Sequence, residues 1–208
     1  MQAARGASLN SSDRSNSEPS PGDRSESDGS DASSTSRPRR RYLRIFAVIA
    51  VAAYAVDVLT KVLAVEHLTG SPPVQVVGHY FTLYLARNPG AAFSTGTSFT
   101  VALSLIAATA TLVVLWIVRR LGSLGWAIGL GFLLGGILGN LTDRIFRSPG
   151  PLRGHVVDFF MFPNFPVFNV ADICINIAAA TIIIQALRGI RVDGLRHQDV
   201  DEAEAAES

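Results

Sequence analysis

The chain has a single cysteine, Cys174, so no disulfide can form within it. Its four histidines and that cysteine show none of the ligand spacings of a zinc site. Charge is absent from two long stretches, Ser98 to Val118 and Leu121 to Leu141, which excludes an ordinary solvated surface for either. Residues 1–36 lack the opposite property. Apart from Met1 they hold only Leu9 from the Val/Ile/Leu/Met/Phe group, among twelve serines and six acidic residues. A segment so poor in apolar surface cannot offset its ordering entropy, which predicts disorder there. The 208 residues carry a net charge of only +1, so the distribution of charge is informative and its sum is not.

What the remaining sequence has in abundance is apolar length. Four runs approach the roughly 20 residues that a helix needs to cross a bilayer: Leu43 to Val65, Ser98 to Val118, Leu121 to Leu141, and Val170 to Leu187. The first also reads as a secretory signal, with a basic start and Ala53-Tyr54-Ala55 as a cleavage site. Its apolar run continues through Val58, Leu59, Val62, Leu63 and Val65, however, which favours a span. Cys174 lies in the fourth run and reads as a small buried hydrophobe. In the third, Gly125/Gly129 and Gly135/Gly139 have the small-xxx-small spacing that lets helices approach closely. The expected fold is an all-α membrane protein, a four-transmembrane-helix bundle with a small extracytoplasmic β element between helices 1 and 2.

Arginines cluster before the first span (Arg37, Arg39, Arg40, Arg41, Arg44), between the second and third (Arg119, Arg120) and after the fourth (Arg188, Arg191, Arg196). The positive-inside rule then places both termini in the cytoplasm, although Arg144, Arg147 and Arg153 run against the bias. The domain division that follows is a disordered cytoplasmic tail at 1–41, a four-helix membrane domain at 42–190, and a charged cytoplasmic tail at 191–208. Between the first two spans, Val74 to Val77 and Tyr80 to Leu85 are β-branched or aromatic runs around Gly78-His79, which predicts short strands. The stretch 156–168 holds five phenylalanines with Pro163 and Pro166. It reads as a surface loop lying against lipid.

Ionisable groups at membrane depth are costly and mark functional sites. Asp57 and Lys61 are four apart on one helical face, as an internal ion pair would be. Asn88-Pro89-Gly90 suits a turn, and its asparagine above the membrane also suits gripping an extended peptide. Asn140, Asp143 and Arg144 share one face at the end of the third span. Asp158, in Val156-Val157-Asp158-Phe159, and Asp172, in Phe168-Asn169-Val170-Ala171-Asp172, flank one loop. Two carboxylates brought together cannot both ionise and share a proton, so one serves as acid and the other as base. A metal site from Asp143, His155, Asp158 and Asp172 is the weaker alternative. A proton-coupled transporter is the main rival class, but it usually brings internal repeats, and none is visible.

Five segments in this order resemble the lipoprotein signal peptidase (signal peptidase II) family: Asp57-Val58-Leu59-Thr60-Lys61, Arg87 to Phe93, Gly139 to Arg144, Val156 to Phe159, and Phe168 to Asp172. The resemblance covers 43–187, and the serine-rich acidic tail has the look of actinobacterial members. It implies an intramembrane aspartyl endopeptidase of the plasma membrane, without cofactor or metal. Such an enzyme cleaves diacylglyceryl-modified prolipoproteins before the lipobox cysteine and is blocked by the peptide antibiotic globomycin. It further implies that Asp158 and Asp172 are catalytic and that Asn88, Asn140, Arg144 and Asn169 bind substrate, with Asp57, Lys61 and Asp143 as supporting polar residues. The partners implied are the precursor and membrane lipid, not nucleic acid, and the enzyme works as a monomer at the extracytoplasmic face. Ile173 and Ala178 depart from the family, which more often has a small polar residue and a glycine there.

Overall fold

The computed structural model describes residues 36–90 and 96–196. In chain order they form α1 (Ser36–Leu68), β1 (Val74–Val77), β2 (Phe81–Asn88), α2 (Gly96–Val118), α3 (Leu124–Phe146), β3 (Val156–Met161) and α4 (Val170–Leu187). All four helices are long and apolar enough to cross a membrane. Large apolar side chains such as Val48, Val51, Ile106 and Leu112 lie exposed along them, as expected where lipid rather than water is the solvent. The tail read at 1–35 lies outside the described residues, and α1 already begins at Ser36, inside the segment given to that tail.

α3 is the central helix: 56% of its most apolar window is buried, against 17–28% for the other three. Its glycines explain why. A Cβ on Gly135 would stand 2.6 Å from Ala53 Cβ on α1, and one on Gly139 would collide with the Asp57 carboxylate. On its other side, a Cβ on Gly136 would stand 2.6 Å from the Ala171 carbonyl oxygen of α4. The expected small-residue packing is therefore present, and it seats α3 between α1 and α4. Close approach is what lets short polar side chains on three helices meet without water between them.

The start of α3 differs from the sequence expectation. Leu121 is a turn residue whose side chain is 1% exposed, in a core with Phe46, Val118 and Leu130. Filling that core from the turn outweighs extending the helix, which begins after Ser123. At its far end α3 continues beyond Leu141 to Phe146 and so carries Asp143 and Arg144 as helical residues, with Arg147 as its C-cap. The C-terminal boundary also moves. Residues 191–196 were read as the start of a charged tail, yet together with Ile190 they fold back on the α2–α3 turn. Gly122 N–H donates to Val192 O at 2.9 Å, and Trp126 Nε1 to Ile190 O at 2.8 Å.

The expected strands β1 and β2 pair antiparallel, and β3 joins the other edge of β2 to give the order β1-β2-β3. The third strand corrects the reading of 156–168 as a lipid-lying loop. Val156, Val157, Asp158 and Phe159 are all buried. Their prolines come later, at 163 and 166, where they break nothing in the strand. The rings pack on one another. Phe160 and Phe162 both contact Phe81 and Phe168, with centroids 5.2–5.8 Å apart. Val157 and Phe159 close a small core with Ala64 and Leu68 at the end of α1, which fixes the sheet to the bundle.

Candidate functional site

Alternation along β3 sets the site. Val157 and Phe159 point into the core under the sheet, so Asp158 points the other way, and it is still only 2% exposed. Its register opposite Ala86 brings Asn88 beside it, and Asn88 Nδ2 donates to Asp158 Oδ2 at 2.8 Å. The turn expected at Asn88-Pro89-Gly90 is present. Asn88 Oδ1 accepts from Gly90 N–H at 2.8 Å, and Gly90 has φ +115°, a conformation that favours glycine. That turn holds the Asn88 amide with its NH2 toward the aspartate. Residues 91–93 of the same motif lie outside the described residues.

Asp172 enters from α4. Asn169 is the N-cap, its Oδ1 accepting from Asp172 N–H at 3.0 Å, while Asp172 Oδ2 accepts from Asn169 N–H at 3.1 Å. This reciprocal capping box fixes the Asp172 rotamer with backbone groups that a helix start must satisfy anyway. The remaining Asn169 donor joins the two carboxylates: its Nδ2 lies 2.6 Å from Asp158 Oδ1 and 3.1 Å from Asn140 Oδ1. Asn140 Nδ2 in turn donates to Asp172 Oδ1 at 3.0 Å. One buried asparagine, 0% exposed, therefore sits between Asp158 and the cap that orients Asp172.

Behind this layer is a lysine whose ammonium pairs with two carboxylates and donates to one amide oxygen. Lys61 Nζ lies 2.8 Å from Asp57 Oδ2, 3.1 Å from Asp143 Oδ2 and 2.9 Å from Asn140 Oδ1. The Asp57–Lys61 ion pair expected from their spacing is thus part of a larger unit. Asp57 Oδ1 accepts from Ala171 N–H at 2.8 Å, tying α1 to the first turn of α4. Asp143 accepts from Val157 N–H at 3.1 Å and pairs with Arg147, tying α3 to β3. Arg147 was not singled out in the sequence, although its i, i+4 relation to Asp143 was a usable signal. Arg144 is within electrostatic reach of Asp158, Asp143 and Asp172. Its Nη1 is buried with no hydrogen-bond partner among the described residues. Among the described residues, no three His, Cys, Asp or Glu side chains are grouped to hold a metal ion.

Burial pushes the Asp158 carboxyl up from its ordinary 3.8 to about 6. The Asp172 charge adds to the rise, while hydrogen bonds from Asn88 and Asn169 and the charge of Lys61 oppose it. This has a consequence for stability. Between about pH 6 and the unfolded value of 3.8 the folded chain holds a proton that the unfolded chain has released, so this group's contribution falls as pH rises through that window. Acidifying from about pH 7.5 to about pH 5 should therefore raise the melting temperature of the wild type relative to Asp158→Asn. Thermal melts of both proteins in detergent check it, and a constant difference across that range would show that Asp158 titrates normally.

A family model described as signal peptidase (SPase) II matches residues 49–188. The chain is 47% identical over 169 residues to the lipoprotein signal peptidase of Mycolicibacterium smegmatis, across 81% of this chain and 72% of that one. It is 46% identical over 176 residues to that of Mycobacterium tuberculosis, covering 84% and 87%. Over 163 residues it is 46% identical to that of Streptomyces griseus, covering 78% and 83%. A bacterial membrane enzyme solved at 1.9 Å resolution matches the fold with a TM-score of 0.60 at 27% identity, across 67% of this chain and 90% of that one.

Proposed function

The chain belongs to the signal peptidase II family, and from that membership we propose that this multi-pass membrane protease works as an aspartyl endopeptidase, with Asp158 and Asp172 as its catalytic pair. Its substrates are diacylglyceryl-modified prolipoproteins, cut before the lipobox cysteine. The observation that carries the reading is Asn169, which donates to Asp158 and caps the helix turn holding Asp172. Two carboxylates so placed share one proton. Burial favours the neutral form of Asp158, which casts it as the acid and leaves the part of the base to Asp172 in the first turn of α4.

The chemistry follows from those two states. Asp172 takes a proton from water as the water oxygen attacks the scissile carbonyl carbon, and Asp158 gives its proton to the carbonyl oxygen. When the tetrahedral intermediate collapses, the C–N bond breaks and the cysteine nitrogen takes the proton held by Asp172. Asp158 recovers its own from the intermediate's hydroxyl. No covalent bond to the enzyme forms. Arg144 supplies a donor for a substrate carbonyl, which its unpartnered buried Nη1 supports. Asn88, Asn140 and Asn169 hold the substrate backbone and are the contacts that a globomycin-type peptide would take over. The basic clusters at the α1 start and the α2–α3 turn support an orientation with both termini in the cytoplasm and the aspartates at the extracytoplasmic face. The enzyme acts as a monomer and draws its substrate sideways from the lipid.

The test is cleavage by the purified chain of a diacylglyceryl-modified prolipoprotein and of the same precursor without lipid, both products being mapped by mass spectrometry. The expected products are the intact signal peptide and a chain beginning at the lipidated cysteine, formed from the modified precursor and insensitive to chelator. Equal cleavage of the two precursors would remove the lipid from recognition. Cleavage at another bond would remove the proposed specificity.

A further inference from the structure

At the end of the bundle opposite the aspartates, a cavity of about 400 Å³ opens between the ends of α2 and α4 and the start of α3. Its walls include Trp116, Trp126, Arg120, Arg191 and Asp193. We propose that this cavity is a binding site for the headgroup of an anionic phospholipid, with the lipid's chains lying along the exposed apolar ends of α2 and α4.

Three observations carry it. The first is depth. Trp116 and Ile117 are in the last turn of one membrane-crossing helix, and Ala186 is in the last turn of another, so the cavity lies where headgroups meet hydrocarbon. Tryptophan is the residue type that favours this level. The second is charge. Arg120 stacks its guanidinium 5.5 Å from the Trp116 ring centroid, and Arg191 stands at the opposite wall, 41% exposed at the side chain. Among the described residues Arg191 pairs with the partly exposed Asp193, at 3.3 Å, which leaves the lining with one net positive charge. Such a partial, solvent-facing pair contributes little and can rearrange toward a phosphate. Arginine forks suit phosphate oxygens. The third is construction. The 189–193 wall is held by Trp126 Nε1 to Ile190 O at 2.8 Å, Gly122 N to Val192 O at 2.9 Å and Arg191 N to Leu195 O at 2.9 Å. The cavity is therefore a standing feature of the folded chain. Exposed Trp116 and Leu187 beside it are apolar surfaces on which an acyl chain can lie. The inference is independent of the peptidase reading and of which side of the membrane this end faces.

The chain has two tryptophans, and both line this cavity, so intrinsic fluorescence reports on it directly. The full-length protein would be placed in phosphatidylcholine nanodiscs with rising fractions of chain-brominated phosphatidylglycerol or chain-brominated phosphatidylcholine. Half-maximal quenching should come at a severalfold lower mole fraction of the anionic lipid. Arg120→Gln with Arg191→Gln should abolish that preference, while Arg40→Gln with Arg41→Gln, which removes equal charge from outside the cavity's lining, should retain it. Millimolar inorganic phosphate should leave it unchanged. Equal quenching by the two lipids would overturn the proposal, as would a preference surviving the first double variant or lost equally in the second. Displacement by inorganic phosphate would mean that the ligand is a free anion and would overturn the lipid assignment. Turnover by the Arg120/Arg191 variant, measured in parallel, should show that the protein is folded, since neither residue belongs to the catalytic layer. If that variant fails to fold, Arg120→Lys with Arg191→Lys substitutes for it, and should shift the anionic-lipid midpoint upward while phosphatidylcholine quenching stays fixed.

Discussion

Asp158→Asn and Asp172→Asn should each lower the cleavage of lipidated precursor by at least about 10³-fold, with the protein still folded and membrane-inserted. An amide can accept a hydrogen bond in either position, but it can neither take a proton from water nor give one to a carbonyl oxygen. The two residues act as a unit, so the double variant should be no slower than the slower single one. The neighbours make the substitution less than isosteric. Asn88 and Asn169 both direct their amide NH2 toward Asp158, and the Asn169 backbone N–H and Asn140 both donate to Asp172. Each variant therefore sets its new NH2 against one donor, costing about 1–3 kcal/mol of stability unless a neighbouring amide turns, which is less than the roughly 4 kcal/mol that a 10³-fold loss of rate represents. Retained turnover in either single variant, with the precursor's lipid confirmed, would remove that residue from the chemistry. A collapse of the fold in both would return them to a structural role.

Lys61→Met should be the most damaging change outside the pair. It would leave Asp57 and Asp143 buried together without the cation they share; these residues are 0% and 3% exposed. Removing one partner of a buried ionic group costs about 3–5 kcal/mol because the stranded charge cannot return to water. It would also free the Asn140 amide, whose oxygen Lys61 fixes and whose NH2 faces Asp172. Stability and turnover should thus fall together. Adding Asp57→Asn to Lys61→Met should recover part of the stability, since one of the two stranded carboxylates becomes neutral, and a double-mutant cycle measures the coupling. Thermal melts in detergent with a parallel cleavage assay provide both readings. Additive losses would mean that Lys61 and Asp57 are independent.

Much of this arrangement was legible in the residues. The fourth span was read as Val170 to Leu187, and α4 has those bounds. A polar residue four away from another on an apolar helix has few ways to survive, which is why Asp57 and Lys61 announced their pairing. The Asn169 capping box was also written in the sequence, as an asparagine followed three residues later by Asp172, though its link to Asp158 was not. That link depends on β3, and β3 was missed because phenylalanines and prolines at 159–168 mimic an interfacial loop when no partner strand is known. The partner, β2, lies about 70 residues earlier in the chain, and no local pattern reports a pairing at that separation. For the same reason the sequence could place Asp143 beside Arg144 without showing that its carboxylate accepts from Val157 N–H. The folded 190–196 segment was hidden by its charges, since Arg191 and Asp193 look like a solvated tail until the Trp126 hydrogen bond to Ile190 is seen.

The central claim is that Asp158 and Asp172 together stabilise a tetrahedral carbon formed by water. The most direct measurement is the affinity of a diacylglyceryl lipopeptide in which the scissile carbonyl is replaced by a hydroxyl-bearing tetrahedral carbon. It would be compared with the unaltered lipopeptide in wild-type, Asp158→Asn and Asp172→Asn proteins. A site complementary to the transition state should bind the tetrahedral analogue at least about 10²-fold more tightly than the substrate. Each asparagine variant should lose most of that advantage while binding the substrate as the wild type does. If the analogue and the substrate bind equally in the wild type, or the advantage survives both substitutions, these two carboxylates are not the pair that carries the reaction.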